Sequence, residues 1–553
     1  MKKLFVIGLA STLALLVGYV AFMGYSRSKE AGLMRMSRQF IAHGQYNEAR
    51  LSLSEVLHLD KRNVEATRLM ADLAAGDPRG NELQWRQRVV DLDPNSTEDR
   101  VALAMVALGV HNLSIATNAL NQIPASGQNT AQYQNAIGVL DIALREPLAA
   151  EAAFAAATRL DPASEAPRLN LAVIRLHSTN QVSVAEAVQQ LNAFAVGTNA
   201  SYRCRAMREL IADDFVHSKM RSALALSRKL LAEPDSSFSD RILQLDLLQR
   251  ASDPGLSAAL VSAEAAAGKN VELINPLAQW EIGHLPADRS LDWLTRLPRS
   301  LQTNQPVAML SAECRMALHD WSGLQQSLQA QNWQIVDFMR HALLAKAFYG
   351  EQLTDSMNDE WAKAVQGAGV GLRNLTVLLQ LTMEWKWTAE QTDLLSSILK
   401  HHPEAKWAVP LMMKNLEAGG RTRELMNLFE QQVEQDPNDL QAKNNLAMTA
   451  LLLNETELKP FDLSSQVYGM EPTNISYAST YAFSLYEQNR PADALKVFAP
   501  FDVKSLSDAG VAGYYGLVLR ANGHEKMARE YLARAATNPN LLPEERKLFG
   551  LTP

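Results

Sequence analysis

Cysteine is almost absent from this chain of 553 residues: only Cys204 and Cys314 occur. Two lone thiols about 110 residues apart, in no Cys-x-x-Cys, argue against a disulfide-built scaffold and a structural zinc site. A basic excess is missing too. Lys and Arg total 53 against 60 Asp and Glu, a net charge of −7, which gives no electrostatic footprint for nucleic acid. Alternating Val, Ile and Thr are rare, so a strand-based fold has no support. Nucleophile elbow, phosphate loop, His-Glu-x-x-His and metal-spaced Cys/His sets are all lacking, and neither catalysis nor a cofactor is expected. Gly367-Ala368-Gly369-Val370-Gly371 lacks the last glycine of the dinucleotide pattern and follows a helix, so it reads as a loop. His401-His402 stands before Pro403 without further ligands at metal spacing.

What is present is 47% hydrophobic and 20% charged, the balance of a packed chain. One long apolar run occurs. Met1-Lys2-Lys3 precedes uncharged residues from Leu4 to Tyr25, about 22 positions, closed by Ser26-Arg27-Ser28-Lys29. That length spans a hydrocarbon core of about 30 Å as a helix. No Ala-x-Ala cut site ends it, and Tyr19 and Tyr25 suit the interface. Residues 1–26 are therefore expected to be an uncleaved, single-pass transmembrane anchor. The short basic tail resembles a bacterial signal anchor in the inner membrane and places the remainder in the periplasm. Arg27, Lys29, Arg35 and Arg38 pull the other way, so a cytoplasmic orientation stays open.

The remaining residues carry a recurring punctuation. Gly44-Gln45-Tyr46-Asn47-Glu48-Ala49, Asn489-Arg490-Pro491-Ala492-Asp493-Ala494 and Gly523-His524-Glu525-Lys526-Met527-Ala528 each place a small residue five positions after a turn residue. Closings recur as Asp93-Pro94, Asp161-Pro162, Asp436-Pro437 and Glu471-Pro472. Prolines step by 34 from 403 to 437 and by 35 to 472, while 94 to 162 is 68. A period near 34 is the signature of stacked helix–turn–helix repeats. The turn residue caps a first helix, the small residue lets a second helix approach it, and Pro ends the unit. Expected helices include 32–43, 46–59, 64–75, 83–92 and one starting at 168. About 520 residues leave roughly 15 repeat-sized slots.

This pattern resembles the tetratricopeptide-repeat family, most clearly over 33–177 and 400–540. The resemblance implies an all-α, right-handed superhelical solenoid of antiparallel helix pairs. Segments are expected at 27–199 (regular repeats), 200–400 (degenerate repeats) and 401–553 (regular repeats closed by a capping helix over 542–549). In peptide-binding members an Asn on the first helix faces the concave groove and holds a peptide backbone. Asn170 and Asn445, each eight residues after the Pro of a closing, match that register, whereas Ala102, Leu411 and Thr480 do not.

Tryptophan gathers in 280–407, where eight of nine occur and the markers fade. Trp321, Trp385 and Trp387 are the candidates for an aromatic surface, with core packing as the alternative. The expected function is a non-catalytic scaffold that binds a protein or peptide partner along its groove, in envelope biogenesis, polysaccharide export or secretion. A glycan-binding solenoid and an enzyme within 200–400 are the rivals. Oligomeric state is left open.

Overall fold

A computed structural model describes residues 25, 27–75, 77, 81–329 and 331–551. The expected anchor, residues 1–26, lies outside them apart from Tyr25. Among the described residues no helix is long and apolar enough to cross a membrane, and no strand occurs.

The chain divides into two compact units, up to His284 and from Leu285 onward. The first contains seven consecutive helix pairs, from the helix at 27–42 with Tyr46–Leu59 to Phe238–Arg250 with Leu256–Ala267, and then Val271–His284. The second starts at Ala287–Arg296 and continues through seven pairs, from Val307–Ala317 with Trp321–Gln329 to Ala512–Ala521 with Glu525–Ala535. Pro543–Phe549 closes it. Helix pairs fill 200–267 and 307–401, with Val271–His284 and Ala287–Arg296 between them, and no strand occurs among the described residues there.

Local chemistry explains the pairs. Second helices start at Pro147 and Pro491, where the missing N–H would have had no intrahelical partner. First helices are capped by side chains: Asn63, Ser96, Thr130, Asn199, Asp439 and Asn474 each accept a backbone N–H of the first turn. Between the two helices one residue turns left-handed. Gly44, Asn489 and Gly523 do so as expected, and so do His111, Arg145, Ser218, Ser252, His319, Gln352, Lys386, Gly420 and Asn454. From His319 to Gly523 these residues step by 33, 34, 34, 34, 35 and 34. The period therefore continues through the stretch where glycine and proline markers vanish.

Packing follows from this geometry. Ala49, Ala150, Ala494 and Ala528, the small residues of the second helices, are fully buried, and Leu324 occupies the same place in the weakly marked region. First helices of neighbouring pairs also touch one another, as in Thr97–Gly109 with Ala131–Ala143 and Leu440–Leu453 with Ile475–Glu487. Second helices of neighbouring pairs make no comparable contact among the described residues. First helices thus line the tighter, inner face of each unit. Arginines pin some of them: Arg68 donates to Asp99 at 3.0 Å, and Arg208 donates to both oxygens of Asp240 at 2.7 and 2.8 Å, each joining one first helix to the next.

Candidate functional site

The inner face of the N-terminal unit holds the first predicted residue. Asn170, on Glu165–Leu176, is 7% exposed, and its Nδ2 donates at 2.8 Å to Oδ1 of Asn135 on Ala131–Ala143. Asn135 was missed because no proline precedes it by eight residues. Stepping back one period of 35 from Asn170 would have found it. Two adjacent first helices therefore present an amide pair.

Asn445 stands in a different setting, half-buried on Leu440–Leu453. It accepts from Asn444 at 3.3 Å and lines a cavity of about 400 Å³. Met413, Glu417, Leu425 and Phe429 lie on one side of that cavity, and Asn538, Asn540, Leu542 and Glu545 come from the end of the chain.

That end is the expected closing helix, with a longer reach. Besides covering the last pair, Pro543–Phe549 reaches back along the inner face of the C-terminal unit. It packs on Leu440–Leu453 and on Ala512–Ala521. Tyr514 donates at 2.6 Å to Glu545, and Thr422 donates to Glu544. The Phe549 ring stands edge-on to Tyr514, with centroids 5.2 Å apart, over Gly513, where a Cβ would come within 2.4 Å of the ring. Leu541, Leu542 and Phe549 are buried. Burial raises the Glu545 carboxyl above its ordinary pKa, against the hydrogen bond from Tyr514. Burial and then the charge of Glu545 raise Glu417 likewise.

The tryptophans are mostly structural. Trp387 is 5% exposed and belongs to the core, which corrects its place on the expected aromatic surface: it is enclosed by Tyr349, Trp361 and Trp385 at centroid distances of 5.1, 5.6 and 4.9 Å. Lys346 Nζ sits 5.0–5.5 Å from the Tyr349, Trp385 and Trp387 rings, an internal cation–π cluster. Burial lowers the Lys346 pKa, with Glu384 opposing. Trp385 is half-buried in that cluster, and Trp321 is half-buried against Gly350 of the next pair. Trp407, at 45%, is exposed.

Both cysteines are buried, and among the described residues no group of three His, Cys, Asp or Glu could hold a metal ion. His402 binds the Val370 carbonyl at 2.6 Å and Glu404 at 3.2 Å, tying one repeat to the next. Gly369 takes a left-handed φ of 61° after Thr354–Ala368, and Gly371 precedes Leu372–Trp385, so the glycine-rich stretch is the loop between two pairs.

No known protein-family model matches the chain, and no curated protein matches it. Solved structures are similar. A tetratricopeptide repeat protein from Parabacteroides merdae is 17% identical over 46% of this chain and 98% of its own, with a TM-score of 0.37. Pseudomonas aeruginosa pilF is 14% identical over 40% of this chain and 99% of its own, at 0.31. The Cut9–Hcn1 hetero-tetramer of APC/C is 12% identical over 93% and 98%, at 0.29. These superpositions are loose, and the fold rests on the chain's own geometry. Antiparallel helix pairs, a left-handed residue at most of their turns and a step of 33–35 residues from His319 onward make it a tetratricopeptide-like helical solenoid.

Proposed function

We propose that this chain is a membrane-anchored scaffold that binds segments of partner proteins along the first-helix faces of its repeats. The observation that carries the reading is the Asn135–Asn170 amide pair on adjacent first helices. A side-chain amide donates and accepts at once, which suits an extended peptide backbone laid across it. Asn445 offers the same group in the C-terminal unit. The uncharged run from Leu4 to Tyr25 supports the anchor, which concentrates the repeats at a membrane. We place them on the periplasmic side of a bacterial inner membrane, in envelope assembly, polysaccharide export or secretion.

A photo-cross-linking residue at Asn135 tests this, with Leu148, on the second helix of the same pair and 83% exposed, as control. In gently solubilised membranes a defined partner band should form from position 135 and not from 148. Equal labelling from both positions, or from neither, would overturn the reading.

A further inference from the structure

The end of the chain behaves as a ligand of its own groove. Residues 538–549 cross the inner face of the C-terminal unit and supply two anchors that alternate with carboxylates. Leu542 is buried near Leu425 and Phe429, and Phe549 fills the space over Gly513. Between them Glu544 and Glu545 accept from Thr422 and Tyr514, residues belonging to two separate pairs of the unit. Gly420 makes room for Pro543, since a Cβ there would approach the proline ring to 2.9 Å.

Two features set this contact apart from a permanent cap. An open cleft of about 400 Å³ runs beside the segment, between its Asn538, Leu542 and Glu545 and the face's Glu417 and Met448, so part of the face stays accessible while the tail is docked. Glu545 and Glu417 line the same cleft, and burial pushes both carboxyls up, with the charge of Glu545 adding to the effect on Glu417, so ionised carboxylates cost the docked state. The segment fits and fits imperfectly.

We propose that the inner face of the C-terminal unit is a receptor for a short acidic–apolar helix of a partner protein, and that residues 538–551 occupy it as an internal stand-in which the partner displaces. The partner's segment carries an apolar residue, a Glu pair and an aromatic residue at the spacing of Leu542, Glu544, Glu545 and Phe549. This deepens the protein-binding reading and rests on it.

The probe is a labelled peptide with the sequence of residues 537–553, titrated into the full chain in mild detergent. Its apparent affinity is reduced by the fraction of receptor whose own tail is docked. Leu542→Ala with Phe549→Ala in the full chain should therefore tighten peptide binding by about tenfold or more over the unsubstituted chain. On that background the peptide carrying Leu542→Ala and Phe549→Ala should lose the gain, a comparison made within one folded protein. Adding Gly513→Ala to the chain should abolish it, with helical content and melting temperature checked alongside. No binding to the tail-substituted chain, or equal binding of both peptides, would overturn the proposal in favour of a fixed cap. Tail-exchanged dimers of the unsubstituted chain would overturn it in favour of a second copy. The cross-linking at Asn135 reads the other unit, so either result can fail alone.

Discussion

The inner faces of the two units are built alike, from first helices of successive pairs, and furnished differently. In the N-terminal unit the amides of Asn135 and Asn170 meet each other, and arginines such as Arg208 pin neighbouring first helices. In the C-terminal unit the matching region around Asn445 is roofed by the chain's own end. Equivalent aromatics show the contrast. Phe154 fills the space beside Gly138 within one helix pair, whereas Phe549 fills the space beside Gly513 from a segment tethered outside the pairs. One aromatic is architecture, and the other is an occupant. A repeat scaffold can thus regulate access to one face without altering its repeats.

The sharpest way to break this comparison is to remove both rings. Phe154→Ala should destabilise the N-terminal unit by about 3–5 kcal/mol, as a large buried side chain leaves a cavity. Phe549→Ala should cost less than about 2 kcal/mol and instead expose the last residues to carboxypeptidase, because the groove is vacated without opening a pair. Equal losses in thermal unfolding would erase the distinction.

Next in size is Arg208→Ala. It leaves Asp240, 3% exposed, without its charged partner, and because the Arg208 side chain is 38% exposed the loss should be about 1–3 kcal/mol. Calorimetry of the full chain should show it in the N-terminal transition.

Acid should act oppositely on the two regions. For Asp240, burial would raise the pKa, and the hydrogen bonds from Arg208 and Ser237 outweigh it, so the folded value lies below the ordinary 3.8. That contribution is present above 3.8 and is lost only as pH falls further. Glu545 and Glu417 are raised above 4.5. Around them stand Tyr514, Glu544, Arg546 and the Leu542 N–H. Docking of the tail is therefore fullest below 4.5 and weakens as pH rises through the raised values. Acidifying from neutral toward 4.5 should raise the hydrogen-exchange protection of the tail amides, measured relative to the intrinsic exchange rate at each pH, while leaving the Arg208–Asp240 contact unchanged. Unchanged or lower protection of the tail amides on acidification would contradict it.

The smallest effects concern turns. Gly44→Ala, at φ 72° in open space, should cost about 1 kcal/mol, whereas Lys386→Gly, at φ 60°, should be neutral within about 1 kcal/mol. Both are readable from melting temperature.

Those turns also explain what the sequence could and could not convey. Gly44, Asn489 and Gly523 announce a left-handed cap by residue type. His319, Gln352 and Lys386 adopt the same conformation without the Gly or Asn that announces it, and at His319 and Lys386 the turn was legible only from the template of residues around it. The helix bounds 46–59 and the small buried residues Ala49, Ala494 and Ala528 were legible from periodicity and punctuation. Asn135 was hidden by the lack of a preceding proline. The tail's path was hidden for another reason: a charged seven-residue helix gives the same pattern whether it covers an end or crosses a groove. Only the distant partners Thr422 and Tyr514 decide which.

The central claim is that both inner faces receive protein segments and that one is occupied by the chain itself. A photo-cross-linker at Met448, which lines the cavity beside Asn445, tests it directly beside the one at Asn135. The account predicts partner labelling at 135 in the unsubstituted chain. At 448 the unsubstituted chain should cross-link to its own residues 538–545, and Leu542→Ala with Phe549→Ala should replace that product by a partner segment rich in Glu and apolar residues. Partner labelling at 448 that is unaffected by the tail substitutions would contradict it.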